Sequence, residues 1–384
     1  MMLQDPKDLR RCTRCILPET FPGIKFDEKG VCNYCLNYKP AQVLGEKELE
    51  KILSRFRNKG EKYDCVVACS GGRDSTFVLH QIVKKYKMRA VAVTVDTGLI
   101  TPEGIRNIRK ATKILNVDHV LLKDEKRIKI AKQNMRIKFQ SWLKRPSINT
   151  IVPVLNSGDK TLNLQIYKFI KENKIPLFIG GKSSFEQEHF KTGFMGVFPD
   201  ERGVYSIRDR IKLLFLFGYE YIRDPNNFRP SILKEYTEGA AMYFFESIFK
   251  PKNVVWIDFY DYVEWNEKKI LSTIQNELDW KGASDTSTTW RVDDGAYPLI
   301  NYIYYKLVGF TEHDEIYSKM IRAGQISREE ALERCLSDQK PRIPSIMRSL
   351  EELGVTKEQL DEVLEKYREK LWMERPWTKH IYKG

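Results

Sequence analysis

The sequence has no apolar run that approaches the length of a membrane span, and its first residues lack the apolar core of a signal peptide. These absences predict a protein that works in the cytoplasm without a membrane span. Cysteine is scarce outside two C-x-x-C pairs, since only Cys65, Cys69 and Cys335 lie elsewhere. In a reducing compartment we expect the cysteines to be thiols or metal ligands rather than disulfides.

Acidic residues are outnumbered. The chain of 384 residues carries 65 Lys and Arg against 52 Asp and Glu, a formal net charge of +13. The basic residues are spread along the chain rather than massed in a tail. They are consistent with an anionic partner, such as a nucleotide, a nucleotide-sugar or RNA, and equally with a solvated basic surface. The length allows two or three domains with cores of their own.

Neither a Walker A loop, GxxxxGK(S/T), nor a GxGxxG fingerprint is present. The chain has instead Ser70-Gly71-Gly72-Arg73-Asp74-Ser75, which follows an apolar segment at 64–69 and precedes a helical pattern. A strand, a glycine turn and a helix start direct backbone N–H groups and the positive end of a helix dipole at one point, which suits a polyphosphate. The alternative is a tight turn in which Ser75 caps the helix.

Strand and helix patterns alternate from this motif onward. We predict strands near residues 64–69, 89–95, 118–122, 175–179 and 253–259, and therefore an α/β fold with a parallel, doubly wound sheet. Ligands of such sheets bind beyond the carboxyl ends of the strands. Asp96 and Gly181 follow two of these strands, so both are candidates for the adenosine or substrate pocket, as are Ser183 and Glu186. For Asp96, a role in a strand-end turn is the alternative.

The amino-terminal cysteines form the second motif. Cys12 and Cys15 are separated by 16 residues from Cys32 and Cys35, a spacing typical of a four-cysteine zinc ribbon. The segment between them has too little apolar content to fold alone, so we expect bound Zn²⁺ to stabilise it. Four thiolates leave no open position for water, which favours structural zinc over catalytic zinc. A redox role for the thiols is the weaker alternative.

The motif at 70–75 resembles the SGGxDS signature of the PP-loop ATP pyrophosphatases, an α/β superfamily that cleaves ATP to AMP and pyrophosphate. The resemblance implies that Gly71 and Gly72 let the backbone approach the β- and γ-phosphates and that Ser70 and Ser75 donate hydroxyl protons. It also implies that Asp74 holds Mg²⁺ against the pyrophosphate. Arg73 occupies the variable position and either contacts phosphate or points to solvent. We assign catalysis to Asp74, Arg73 and Ser70, and ATP binding to the motif together with Asp96 and Gly181.

Two sets of PP-loop relatives carry an amino-terminal zinc site. One set transfers sulfur to tRNA and has further cysteines in the middle of the catalytic domain. The corresponding stretch here, 156–159, has no cysteine, and no pair among the remaining cysteines has the required spacing. Sulfur transfer is therefore disfavoured. A tRNA-modifying enzyme, either a thiolase or a lysidine-type ligase, is kept as the alternative.

The other set is the N-acetyl sugar amidotransferases of O-antigen and nonulosonic acid biosynthesis. The resemblance rests on the segments 11–15, 26–35, 265–270 and 321–332, together with the PP-loop. It implies that the acetamido group of a sugar, usually nucleotide-linked, becomes an acetamidino group, with ammonia supplied by separate glutaminase and channel subunits. Two places depart from the family pattern, Gly181-Lys182-Ser183 and the stretch 284–291. Because of these departures, the resemblance does not identify the sugar substrate.

We divide the chain into a zinc ribbon at 1–44, a PP-loop catalytic domain at 45–265 and a mostly helical region for substrate or partner at 266–384. The polar stretch 284–294 contains hydroxyls, Arg291 and two aspartates that could bind a sugar or phosphate, or it is a solvated loop. We predict a sugar amidotransferase that uses ATP, Mg²⁺ and structural Zn²⁺. A non-enzymatic module that binds zinc and nucleotide is the remaining reading. The sequence leaves open the oligomeric state and whether nitrogen or sulfur is the nucleophile.

Overall fold

A five-stranded parallel sheet forms the centre of the protein. In the computed structural model, which describes residues 8–40, 42–155, 159–199, 204–375 and 377, the strand order is β3-β2-β1-β4-β5. The side chains at 159–162 and most of the cysteine-free stretch, 156–158, lie outside this description. The strands are β1 Cys65–Ala68, β2 Ala90–Val95, β3 His119–Leu122, β4 Leu177–Gly180 and β5 Val255–Asp258. The α/β fold with a parallel sheet is thereby confirmed.

Both faces of the sheet are covered, as the apolar character of β1 on both sides indicates. Cys65 and Val67 belong to one buried cluster, and Val66 belongs to a second cluster on the other face. Val66 lies opposite Val91 of β2 and Phe178 of β4 in the register. β1 is therefore a central strand with a neighbour on each side.

The helices surround the sheet and form a large carboxyl-terminal region. Several begin at a side-chain cap, for example at Thr101 before Pro102 and at Asn266. The helices are α1 Asn33–Leu36, α2 Glu46–Phe56, α3 Arg73–His80, α4 Pro102–Leu115, α5 Glu125–Lys144, α6 Ile151–Leu155, α7 Asp159–Glu172, α8 Phe190–Gly193, α9 Ile207–Ile222, α10 Pro230–Phe249, α11 Glu267–Leu278, α12 Tyr297–Val308, α13 Glu312–Arg322, α14 Arg328–Asp338, α15 Ile343–Leu353 and α16 Lys357–Glu374.

The amino-terminal cysteine segment packs on the carboxyl-terminal helices rather than standing apart. Its cysteines share a buried cluster with residues of α5, α12, α15 and α16. Arg11 forms an ion pair of 2.6 Å with the buried Asp314 of α13, and Ser318 of the same helix accepts the N–H of Ile16. Within the described residues, no helix is both long and apolar enough to cross a membrane.

The strand order creates the crevice in which the site lies. The chain runs from β1 outward to β2 and β3, and then returns to place β4 and β5 on the other side of β1. At such a reversal the connections leave β1 and β4 in opposite directions, which opens a cleft beyond their carboxyl ends. The PP-loop motif directly follows β1 and therefore opens into this cleft.

Candidate functional site

Gly71 of the motif is required by space as well as by conformation. Gly71 has a φ of +89°, and a Cβ added there would lie 2.1 Å from the carbonyl oxygen of Gly104 in α4. A Cβ added at Gly72 would lie 2.8 Å from Oδ1 of Asp293. A contact of 2.1 Å with a backbone atom does not occur in folded proteins, so Gly71 excludes a side chain. At Gly72 a side chain would require the carboxylate of Asp293 to move. The loop is thus pressed between α4 and the segment that carries Asp293.

The two serine hydroxyls tie the loop to itself. Oγ of Ser70 lies 3.1 Å from Oγ of Ser75, which also accepts the N–H of Ser70 at 3.2 Å. The alternative in which Ser75 caps the helix is wrong, because α3 begins at Arg73 with Gly72 at the cap position and no side-chain cap. The first turn of α3 therefore presents backbone N–H groups that lack an intrahelical acceptor, which suits an anion.

Asp74 is buried beside the loop, and its two carboxylate oxygens differ. Oδ1 accepts the indole N–H of Trp265 at 3.1 Å and lies 3.3 Å from Nε of Arg73. Oδ2 is buried and has no hydrogen-bond partner. Burial raises the pKa of this carboxyl, although the charge of Arg73 opposes the shift. A buried carboxylate oxygen without a partner, on the wall of the cleft, fits the ligand set that Mg²⁺ requires.

Arg73 does not point to solvent, since only 3% of the residue is exposed. Its Nη1 donates to Glu267 at 2.6 Å and to Thr289 at 2.7 Å, and its guanidinium carbon lies 3.4 Å from the ring centroid of Trp290. Trp265 stacks on Trp290 with centroids 5.7 Å apart. These contacts hold Arg73 against Asp74, so the residue positions the carboxylate.

Residues of the carboxyl-terminal region also bond to the partners of Arg73. Glu267 also accepts a hydrogen bond of 2.5 Å from Arg334 of α14. Thr289 and Trp290 belong to the stretch 284–294, in which Trp290 is fully buried. The distance along the chain from Arg73 to Thr289 is 216 residues. The helical region therefore contributes directly to the order of the PP-loop.

A cavity of about 460 Å³ lies at the carboxyl ends of β1, β2 and β4. The motif forms its floor, and Val93 and Val95 of β2 together with Ile166 of α7 form an apolar wall that suits a flat base. Leu99 and Ile100 also line the cavity, next to the segment that carries Asp294, since Ile100 forms a β-bridge with Asp294. The polar and charged lining residues, which we call the polar wall, include Lys182, Glu186, Thr289, Arg291, Asp293 and Asp294.

The polar wall contains two carboxyls whose protonation is shifted. Burial raises the pKa of Glu186 to about 7, and the nearby charges of Asp74 and Asp293 act in the same direction against that of Arg291. Burial likewise raises the pKa of Asp294 to about 6. Glu186 therefore exchanges its proton near neutral pH, as a general base requires.

Arg291 is the structural centre of this wall. Its Nη2 donates to Glu188 at 2.8 Å, its Nε donates to Glu312 at 3.2 Å, and its guanidinium carbon lies 4.1 Å from the ring centroid of Tyr297. The solvated-loop alternative does not describe the stretch 284–294, because its side chains are anchored in the protein. Its Arg291, Asp293 and Asp294 border the cavity.

The other predicted positions are placed as follows. The Cα of Gly181 faces the motif closely, since a Cβ there would lie 3.2 Å from the Cα of Ser75. Gly181 lines the cavity, and Ser183 is buried with an unpaired hydroxyl. Asp96 accepts the N–H of Gly98 at 2.8 Å, which is the turn-forming role. It is not among the described cavity residues, and its neighbour Thr97 is.

The four ribbon cysteines converge on one point. The Sγ atoms of Cys12, Cys15, Cys32 and Cys35 all lie within 4.8 Å of one another, and all four residues are buried. Sγ of Cys12 is 3.9 Å from that of Cys35, and Sγ of Cys15 is 3.7 Å from that of Cys32. This cluster can hold a metal ion.

Backbone contacts fix the cluster. The N–H of Cys32 donates to Sγ of Cys12 at 3.1 Å, as amide groups commonly do to metal-bound thiolates. Arg328 of α14 donates to the carbonyl oxygens of Cys12 and Cys15 at 3.3 and 3.0 Å. The first cysteine turn is therefore held from the carboxyl-terminal region.

Sequence reasoning missed the two indoles that pack around Arg73, those of Trp265 and Trp290, which we call the aromatic cage. Trp265 and Glu267 lie more than 190 residues from the motif, and no periodic pattern links positions so far apart. The signal that could have found them is the resemblance itself, because its segment 265–270 contains both residues.

The comparisons with known proteins give a match over the last quarter of the chain. Residues 285–382 match the family described as "LPS biosynthesis protein WbpG-like, C-terminal domain". The chain is 34% identical over 116 residues to the uncharacterized protein MJ1599 of Methanocaldococcus jannaschii, a match that covers 29% of this chain and 42% of that protein. It is 37% identical over 70 residues to a probable sulfurtransferase of the same organism, with 16% and 21% covered. The chain thus spans less than half the length of these curated relatives.

Two solved structures are similar at low scores. One is the U34-tRNA thiolase NcsA from Methanococcus maripaludis with its 4Fe–4S cluster, at 13% identity and a TM-score of 0.31, covering 86% of this chain and 89% of that one. The other is NMN synthetase from Francisella tularensis, at 12% identity and a TM-score of 0.34, covering 82% and 98%. Scores this low do not bear on the chemistry of this chain.

Proposed function

We propose that the chain is an ATP-dependent amidotransferase of surface polysaccharide biosynthesis, because its motif at 70–75 resembles a PP-loop and its residues 285–382 match a WbpG-like domain. In this reaction the acetamido oxygen of an N-acetyl sugar, preferably nucleotide-linked, attacks the α-phosphate of ATP, and pyrophosphate leaves. Ammonia then attacks the activated carbon, and AMP leaves as the amidine forms. Atoms balance, since the acetamido oxygen departs with AMP.

One observation carries the proposal. Thr289, Arg291, Asp293 and Asp294 belong to the WbpG-like segment, and they border the same cavity as the PP-loop. A segment of a lipopolysaccharide-biosynthesis family therefore forms one wall of a site whose floor suits ATP. In this proposal the residues of that wall contact the acceptor substrate, whose oxygen attacks the α-phosphate of ATP.

The residues divide the work according to their position. The first turn of α3 and the exposed Lys182 lie where the pyrophosphate charge is expected, and the unpaired Oδ2 of Asp74 would hold Mg²⁺, which neutralises that charge when bound. Arg73 acts by positioning Asp74. Glu186, with its pKa of about 7, is placed to accept a proton from the attacking nitrogen.

Structural zinc is the metal that the cysteine cluster fits best. A single ion bound at about 2.3 Å to four thiolates in a tetrahedron separates the sulfurs by about 3.8 Å. The two sulfur pairs at 3.7 and 3.9 Å match that value. A 4Fe–4S cluster would carry its thiolates on four different iron atoms and hold them farther apart.

The rival is a tRNA-modifying enzyme that transfers sulfur or forms a lysidine-type product. Cys69 is the cysteine that borders the cavity among the described residues. Burial raises its pKa to about 12, so the thiolate that sulfur transfer needs is disfavoured at neutral pH. A lysidine-type ligase is not affected by this argument.

The experiment that separates these functions measures the conversion of ATP to AMP. Purified protein is given Mg²⁺ and ammonium chloride, with nucleotide N-acetyl sugars in one set of reactions and bulk tRNA in another. We expect AMP and pyrophosphate in the sugar reactions, and an amidine product one mass unit lighter than the acetamide. Turnover confined to tRNA would refute the sugar proposal, and no turnover with either acceptor would favour a non-enzymatic module. Separate glutaminase and channel subunits, which would supply ammonia in the cell, are part of the proposal.

A further inference from the structure

Helix α9 is apolar, yet almost none of it is buried. Within this helix only Leu213 is buried. Ile207 is 79% exposed, Phe215 is 73% exposed and Ile222 is 62% exposed. A helix that exposes so many large apolar side chains leaves a surface that water solvates poorly. We call this surface the α9 face, and its apolar members are Ile207, Ile211, Leu214, Phe215, Tyr219 and Ile222.

The apolar residues of the α9 face lie on one side of the helix. At 3.6 residues per turn its apolar members cover an arc of roughly 140°. One edge of this arc carries the cations Arg208, Lys212 and Arg223, all of them exposed. The two acidic residues of the helix are half-buried: Asp209 is bonded to the cap residue Ser206, and Glu220 lies 4.0 Å from Arg223. The exposed half of α9 thus contains apolar and cationic side chains and no exposed acidic one.

The end of α10 lies beside α9. Arg210 of α9 lies over the ring of Tyr243 in α10 at 5.4 Å, so the amino-terminal half of α9 is next to the carboxyl-terminal half of α10. Phe245, Ile248 and Phe249 follow in that half and are 55%, 70% and 46% exposed. The six apolar side chains of the α9 face, at roughly 100 Å² each, amount to about 600 Å², which is the upper end of the 300–600 Å² of the largest patch on a typical monomer.

The adjoining part of α10 also contacts the cavity wall. Glu246, next to Phe245, accepts a hydrogen bond of 3.2 Å from Asn163 of α7, and Asn163 lines the cavity. The surface and the site are therefore connected through one hydrogen bond.

We propose that the α9 face docks on an anionic lipid bilayer, with α9 lying in the plane of the interface. The composition of the face carries this choice. Isoleucine, leucine and aromatic side chains enter the boundary between headgroups and acyl chains, and the cations along the edge meet lipid phosphates. A second copy of the chain is the competing occupant, and the light-scattering measurement below distinguishes it from a bilayer.

The test is co-sedimentation of the full-length protein with vesicles, one set of phosphatidylcholine alone and one containing phosphatidylglycerol. We expect binding to the anionic vesicles that weakens in high salt because the phosphate contacts are screened. The variant Ile211→Glu with Phe215→Glu should bind the anionic vesicles at least about tenfold more weakly, since two large apolar groups no longer enter the interface. Met373→Glu, at an 80% exposed position of α16, is the matched control and should bind as the parent does.

Two results would overturn the proposal. One is absence of vesicle binding by the parent protein. The other is equal binding by the double variant, whose fold is checked by circular dichroism. Light scattering in the absence of vesicles identifies the competing occupant, because a dimer that the double variant dissociates would assign the face to self-association. ATP turnover is measured separately in solution, so failure here is distinguishable from failure of the proposed function.

Discussion

Replacing Glu186 by glutamine should stabilise the protein at high pH and not at low pH. In the folded protein the pKa of Glu186 is raised from 4.5 to about 7, mainly by burial. Below pH 4.5 the carboxyl is protonated and uncharged in both folded and unfolded states, so it does not lower the free energy of unfolding. Above pH 7 it is ionised in both states, and the folded state carries the full cost of the buried charge. The stability of the parent protein therefore falls as the pH rises between these two values.

The magnitude follows from the shift. About 2.5 pKa units correspond to about 3 kcal/mol, at 1.36 kcal/mol per unit. The side chain opens into the cavity, which makes this an upper value. With an unfolding entropy of about 2.1 cal/mol/K per residue, 3 kcal/mol in a chain of this length is about 4 °C in Tm. We therefore expect Glu186→Gln to raise the Tm by up to about 4 °C at pH 8 and by less than about 1 °C at pH 4.

The assay is thermal unfolding of the ligand-free protein across pH 4 to 8, followed by circular dichroism. Glu188→Gln is the matched control, because Lys191 and Arg291 outweigh burial and lower the pKa of Glu188, so the same change there should destabilise the protein at pH 8. A Tm shift for Glu186→Gln that is negative, or equal at both ends of the range, would refute the reasoning. In the turnover assay, loss of the general base should lower the rate by a factor of about 10² to 10⁴ and remove the rise in rate near pH 7.

Three further changes test the site and the metal cluster. Asp74→Asn should reduce ATP-to-AMP turnover by about 10³ without lowering the Tm, because burial disfavours the charge that is removed; retained turnover would mean that the carboxylate is misassigned. Cys12→Ser with Cys15→Ser should remove about one zinc per chain in elemental analysis, and unchanged metal content would contradict the cluster. Arg73→Lys should cost about 2 kcal/mol or more in urea unfolding, because lysine cannot stack on the indoles while bonding Glu267; equal midpoints would show that the cage is not needed.

Local patterns were sufficient for the elements that form from nearby residues. The strand before Ser70 and the last strand near 253–259 each follow from a short pattern, and the structure confirms them. Helices α13 and α15 lie in the region at 266–384 that is predicted to be mostly helical, but their bounds were not predicted. Local signals for both exist, since a capping box at Thr311 and Asp314 opens α13 and Gly354, with a φ of +66°, ends α15. Those signals do not give the packing, in which Ile316 and Met320 of α13 join the core cluster of the sheet and Ile346 and Leu350 of α15 join that of the cysteines.

The sequence by itself determined the motif, the spacing of the cysteines and the parallel sheet. These depend on backbone conformation, ligand spacing and burial of consecutive residues, all of which are local. Only the tertiary structure decided what Arg73 does, that Asp96 forms a turn, and that the stretch 284–294 becomes a wall of the cavity. It also decided which apolar residues of α9 stay exposed. Each of these depends on which segment packs against which, and a one-dimensional pattern does not record that.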